Sequence, residues 1–155
     1  MTKDIYSFVK VSSFRKEAYE YFISLNPLLF YEGVAGAPYM DWLFFNVKLA
    51  TKGEKMLVNF EDGSSAICHL VDFCPFKSFT FSFECFTSVR FLGLDAIQCT
   101  YSFSDWGVGA TFVDCHYRLR LQSPFWNFIF EYFLRKTLEK NLDRILIQNA
   151  KDVKF

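Results

Sequence analysis

From Trp42 to Leu121 apolar and polar residues alternate with a period of two, the spacing of strands that keep one face in a core. Turn formers cut this run into pieces. Strands are expected over Trp42–Leu49 and Glu54–Phe60 around Thr51-Lys52-Gly53, and over Ser65–Phe73 and Phe76–Cys85 around Cys74-Pro75, with Asp62-Gly63 between the two pairs. A looser connection, Thr87–Gly93, leads to two more, Ala96–Phe103 and Gly109–Leu121, joined by Ser104-Asp105-Trp106-Gly107. One side is apolar throughout: Phe79, Phe81, Phe83 and Cys85, then Ile97, Cys99, Tyr101 and Phe103, then Val113, Cys115, Tyr117 and Leu119. Thr80, Ser82, Gln98, Thr100, His116 and Arg118 occupy the other side, so the pattern predicts an antiparallel sheet with one dry and one wet face.

The two ends of the chain read differently. Ile5–Val11 alternates as a first strand, which brings the count to seven, and Ser12-Ser13 offers an N-cap to a helix from Phe14, whose apolar side is Phe14, Ala18, Tyr21, Phe22 and Leu25. Asn26-Pro27 interrupts it before a second short helical turn, Leu28–Tyr31, and Gly33, Gly36 and Pro38 then predict a pliant loop carrying Val34 and Tyr39. Pro124 presets a first helical turn, and Phe125 to Ala150 contains neither Gly nor Pro, which predicts one helix to about Asn149, ~40 Å long. Such a helix can cross a sheet whose strands span ~30 Å. Its apolar stripe is Asn127, Phe130, Leu134, Leu138, Leu142 and Ile145, with Glu131 falling inside it.

Strand, two short helices, six antiparallel strands and a long C-terminal helix is an order that resembles the SRPBCC superfamily, the START-like helix-grip fold that includes the birch-pollen allergen. Gly63 to Pro75, followed by Phe-Lys-Ser-Phe-Thr-Phe-Ser-Phe, is similar to the central hairpin of that fold. The resemblance covers nearly the whole chain and implies an α+β domain over 1–155, a seven-stranded curved sheet wrapped around the last helix, and an apolar cavity between them. Its members include lipid and hormone carriers, polyketide aromatases and cyclases, and chaperone activators, so fold alone does not select a function.

Composition sharpens the picture in three places. Aromatic residues make up 21% of the chain, 21 of them Phe, more apolar ring than packing a domain of this size requires, which suits a greasy pocket as well as a filled core. Lys and Arg number 17 and so do Asp and Glu, so no net field draws the protein to nucleic acid or an acidic membrane surface. The N-terminus lacks the apolar run of a signal peptide and no segment has the ~18 apolar residues of a span, which points to the cytoplasm and against stable membrane insertion. Five cysteines, an odd number without a C-x-x-C pair, read as reduced, buried small hydrophobes and hold neither a disulfide framework nor a metal. No cofactor motif is present.

The expected function is non-catalytic binding or transport of an apolar small molecule, a lipid, sterol or polycyclic aromatic, in the internal cavity. Phe45, Phe60, Phe81, Phe83, Tyr101 and Tyr117 from the sheet and Leu134 and Leu138 from the helix would line it. His69, which shares a strand face with Ile67, Val71 and Phe73, would with Asn127 and Glu131 supply its polar residues. Phe125, Phe128, Ile129 and Tyr132 lie off the helix stripe; they either seat under the Gly33–Tyr39 loop, so that Val34, Tyr39, Phe125 and Phe128 form a gate, or make a surface patch for membrane contact or for self-association, in a monomer or weak homodimer. Two other readings compete: an aromatase/cyclase-like enzyme, for which His69 and Glu131 are the only pair to nominate, and a chaperone-activator-like protein-binding module.

Overall fold

A computed structural model describes residues 2–40, 54–91 and 93–153. Six strands among them form one antiparallel sheet: β1 (Thr2–Val11), β2 (Lys55–Asn59), β3 (Ser65–Cys74), β4 (Ser78–Glu84), β5 (Leu94–Asp105) and β6 (Thr111–Leu121), in the order β1-β6-β5-β4-β3-β2. The sheet is curved, and a last helix of 29 residues lies across it in the manner of a helix grip. The strand expected over Trp42–Leu49, with Phe45, lies outside the described residues. One helix, α1 (Arg15–Ile23), follows β1. The second short helix expected at Leu28–Tyr31 is a run of turns instead, ahead of a single 3-10 turn at Val34–Gly36. Pro27 lacks the amide that would carry a helix through, and the Asn26 side chain accepts the Leu28 amide at 2.9 Å, a local bond that competes with helix.

Ser13 does not cap α1. The N-cap position is Phe14, in extended backbone and without a side-chain cap, while Ser13 is fully buried and its carbonyl accepts the Thr111 hydroxyl at 2.8 Å. That bond ties the entrance of α1 to the start of β6.

The dry face is built from Phe79, Phe81 and Phe83 on β4, Ile97, Cys99, Tyr101 and Phe103 on β5, and Val113, Cys115, Tyr117 and Leu119 on β6, all buried. Cys85 departs from this row: its backbone turns left-handed (φ +57) just past β4 and its side chain is exposed, as is that of Cys74. The expectation of five buried thiols is therefore corrected to three, Cys68, Cys99 and Cys115, and burial pushes these three above the ordinary thiol range.

On β3 the dry positions are Ala66, Cys68 and Leu70, not Ile67, His69 and Val71. The cause is a bulge: Leu70 pairs with Phe81 but Asp72 pairs with Thr80, so β3 holds one extra residue and its alternation changes parity there. Counting inward from Phe73, which pairs with Phe79, gives the wrong face for everything before the bulge. His69 lies opposite Ser82, on the wet face.

The last helix is α-helical over Pro124–Ile129, π-helical over Phe130–Leu134 and α-helical over Arg135–Asp152. Its buried residues recur every four positions: Phe130, Leu134, Leu138, Leu142 and Leu146. On an α-helix each four-residue step advances the stripe by about 40°, so a long run would wind off the sheet. The π turn takes up one extra residue and turns the stripe back. Each of these side chains, taken out of water, contributes about 1.5–3 kcal/mol.

Candidate functional site

Where the last helix meets the dry face, two phenols stand inside the protein. Tyr101 on β5 and Tyr117 on β6 place their hydroxyls 3.2 Å apart, and the Tyr117 hydroxyl donates to the carbonyl of Pro27 at 2.6 Å. The strands set them there by alternation, and the 24–32 turn reaches them because Asn26 bonds its own backbone two residues on and donates to Glu32, whose carboxylate also accepts the Met40 amide at 2.9 Å. Burial pushes both phenols well above their ordinary range and lifts the Glu32 carboxyl as well, so the two tyrosines act as neutral hydrogen-bonding groups.

Rings fill the space around them. Phe30 lies 4.3 Å from Tyr117, Phe79 stacks on Tyr101 at 5.1 Å, and Phe22 packs 5.9 Å from Tyr101. Between the 24–32 turn and the helix lies a crevice of about 10 Å³, lined among the described residues by Leu25, Pro27, Phe30, Leu142, Ile145 and Asn149. That is barely the space of one water molecule. Asn141 donates to the Phe30 carbonyl at 3.2 Å and closes the turn onto the helix.

The residues expected to line a cavity separate into two groups. Phe60, Phe81, Phe83, Tyr101, Tyr117, Leu134 and Leu138 are all buried, and Phe30, missed in the sequence because its segment reads as a helix, packs among them. The expected polar residues do not join this group. His69 is on the wet face, where its Nδ1 is buried and has no partner among the described residues. Glu131 is exposed and pairs with Lys3 at 2.8 Å and Arg135 at 2.9 Å, bonds that pull its carboxyl down to about 2. Asn127 is half-buried. The π turn explains the helix pair: counting back from Leu134 in α-helical steps brings Glu131 and Asn127 in beside Phe130, whereas the added residue keeps Phe130 in the core and packs Trp126 against it in their place.

The residues expected to form a gate are not packed together. Phe125, Phe128 and Tyr132 are exposed, with Phe128 and Tyr132 packed on each other at 4.4 Å, and Tyr39 is exposed while Val34 is half-buried. The segment that seats on the first turns of the helix is the β4–β5 connection. A Cβ on Gly93 would fall 2.1 Å from the Trp126 indole, and Phe91 beside it packs on Phe60 at 5.1 Å and Phe86 at 4.5 Å.

A second concavity, of about 380 Å³, opens on the wet face between Asp72, Thr80, Gln98, Thr100, His116 and Arg118. Asp4 accepts from His116 Nε2 at 2.7 Å when that nitrogen carries the proton and from Arg118 Nε at 3.1 Å, and these bonds hold its carboxyl below the ordinary range. The residues come from β1, β3, β4, β5 and β6, so only strand pairing unites them. Among the described residues no group of three His, Cys, Asp or Glu could hold a metal ion, and no helix is long and apolar enough to cross a membrane.

The sequence matches no family model and no curated protein. The fold does match solved structures. Norcoclaurine synthase from Thalictrum flavum, in complex with dopamine and hydroxybenzaldehyde, aligns over 100% of this chain and 90% of its own at 11% identity and a TM-score of 0.61. A protein of Thermus thermophilus covers 97% of both chains at 12% identity and a TM-score of 0.62. Ara h 8.0201 aligns over 96% of this chain and 99% of its own at 9% identity and a TM-score of 0.55. The helix-grip architecture implied by the SRPBCC resemblance is thus the architecture of the protein. It is shared by an enzyme and by proteins of other kinds, and at such identities it specifies fold alone.

Proposed function

We propose that the protein binds an apolar small molecule, without chemistry, between the last helix and the dry face of the sheet. The observation that carries this is the make-up of that interior. Its walls are hydrocarbon and aromatic rings, its polar groups are neutral phenols and thiols, and among the described residues every charged side chain keeps some exposure, Glu32 of the 24–32 turn being half-buried. His69 and Glu131, the pair an aromatase/cyclase-like enzyme would have used, both face away from it. The Thalictrum flavum enzyme, crystallised with two single-ring aromatic molecules, supports a ligand with a flat aromatic ring. Five free thiols suit a reducing compartment, so a cytoplasmic location goes with this reading.

Because the crevice is closed, ligand and Phe30 compete for one volume. Uptake requires the 24–32 turn to lift and withdraw the Phe30 ring from Tyr117, so apparent affinity is set by how often the turn opens. An aromatic pair of this kind is worth about 0.5–1.5 kcal/mol, so Phe30→Leu should bind a dansyl-labelled fatty acid roughly two- to twelvefold more tightly than the parent. Ile145→Trp, which fills the crevice from the helix side, should bind it at least tenfold more weakly. Both are measured by fluorescence titration beside a circular-dichroism check of folding. Absence of saturable binding by the folded parent and by folded Phe30→Leu, or unchanged binding by Ile145→Trp, would remove the proposal.

A further inference from the structure

Charged residues on the last helix are sorted by side. Glu131, Arg135, Glu139 and Asp143, four residues apart, run along the flank facing β1. There Glu131 meets Lys3 and Arg135, Glu139 meets Arg135 at 3.3 Å, and Asp143 accepts the Ser7 hydroxyl. One position further round, Lys136, Lys140 and Arg144 make a parallel row at the same spacing. All three are exposed, and among the described residues none pairs with a carboxylate. Toward the helix N-terminus that row continues as Tyr132 and Phe128, with Phe133 and Phe125 beside them; the four rings are 72%, 52%, 67% and 61% exposed. A chain without net charge therefore carries a cationic ridge that runs into a cluster of bare aromatic rings.

We infer that this ridge docks the protein on an anionic lipid surface, with the rings in the interfacial layer and the three cations on the headgroups. Both halves of the pattern are needed for that partner. A polyanion such as nucleic acid would satisfy the cations and leave Phe128 and Phe133 in water. A second copy would cover the rings, but in a two-fold contact this patch meets itself, and the row of Lys136, Lys140 and Arg144 with the four rings offers the cations no carboxylate. A lipid surface meets both at once, and the helix lies in its plane instead of crossing it. Zero net charge hides this because the carboxylates that cancel the ridge are held on the β1 flank by Lys3, Arg135 and Ser7. The inference uses no residue of the interior site and goes beyond the ligand reading.

The test is co-sedimentation of the full chain with phosphatidylcholine vesicles, with and without phosphatidylserine. Binding is expected only to the anionic vesicles, and raised salt should weaken it. Lys136→Glu with Lys140→Glu, and separately Phe128→Ser with Tyr132→Ser, should each lower the partition coefficient by about tenfold or more, since each removes one half of the match. All these side chains are exposed, so circular dichroism should show both variants folded; a pair that unfolds is replaced by Lys140→Gln or Phe128→Gln. Equal binding to neutral and anionic vesicles, no binding at all, or variants that bind like the parent would overturn the inference. So would a concentration-dependent dimer in sedimentation velocity that Phe128→Ser abolishes while vesicles stay unbound, because the rings would then be a self-contact.

Discussion

Gly93 offers a direct measure of how firmly the β4–β5 connection holds the start of the last helix. Its φ is +72, and an added Cβ would lie 2.1–2.3 Å from three atoms of the Trp126 ring system, far inside any contact distance. Gly93→Ala therefore incurs two separate costs. Left-handed backbone with a side chain costs roughly 1–2 kcal/mol, and forcing the indole aside in a packed site costs about 1–3 kcal/mol more. Together, ~2–5 kcal/mol corresponds to a fall in Tm of roughly 4–20 °C for a chain of this length. The two costs separate in a double-mutant cycle with Trp126→Ala, where the overlap is gone and only the backbone cost, about 1–2 kcal/mol, remains. Urea denaturation of the parent, both single variants and the double variant measures this. A Gly93→Ala penalty that is the same within about 0.5 kcal/mol in both backgrounds would refute the proposed contact, and one below ~0.5 kcal/mol in the parent would refute the strain as well.

Two further outcomes follow from the surface and the thiols. Glu131 is held down to about 2 by Arg135 and Lys3, so the stability it adds is present above its ordinary value of 4.5 and is lost as pH falls through about 2. Glu131→Gln should cost less than ~1 kcal/mol at neutral pH, as suits a surface pair, and parent and variant should converge as the pH is lowered from 4.5 toward 2; a gap that widens in acid would contradict the pairing. Ellman's reagent should label Cys74 and Cys85 quickly in the native protein and leave Cys68, Cys99 and Cys115 until it unfolds. More than two fast thiols would show that the interior is more open than the packing of Phe30 on Tyr117 implies.

Much of the architecture is legible in local pattern, because period-two alternation and a Pro-led, glycine-free run each have one inexpensive backbone solution. Phe79 to Phe83, Ile97 to Phe103 and Val113 to Leu119 could be assigned to the dry face without any knowledge of what covers them. The placement of His69, Glu131 and Asn127 could not be found that way. His69 was lost to a bulge one turn of the pleat away, and Glu131 and Asn127 to a single π turn, since in both places one extra residue reverses or rotates every position counted across it. Such insertions answer to the partner strand and to the sheet beneath the helix, so no window of sequence contains their cause. The same holds for Phe30, whose segment carries helix-like spacing yet is turned into the core by Asn26, Pro27 and the Tyr117 hydroxyl. Charge shows the division most plainly. Composition sums 17 positive and 17 negative residues to zero, while the packing of β1 against the last helix draws the carboxylates to one flank and leaves Lys136, Lys140 and Arg144 alone on the other. A sum over the chain carries no direction, and only tertiary structure decides where each charge points.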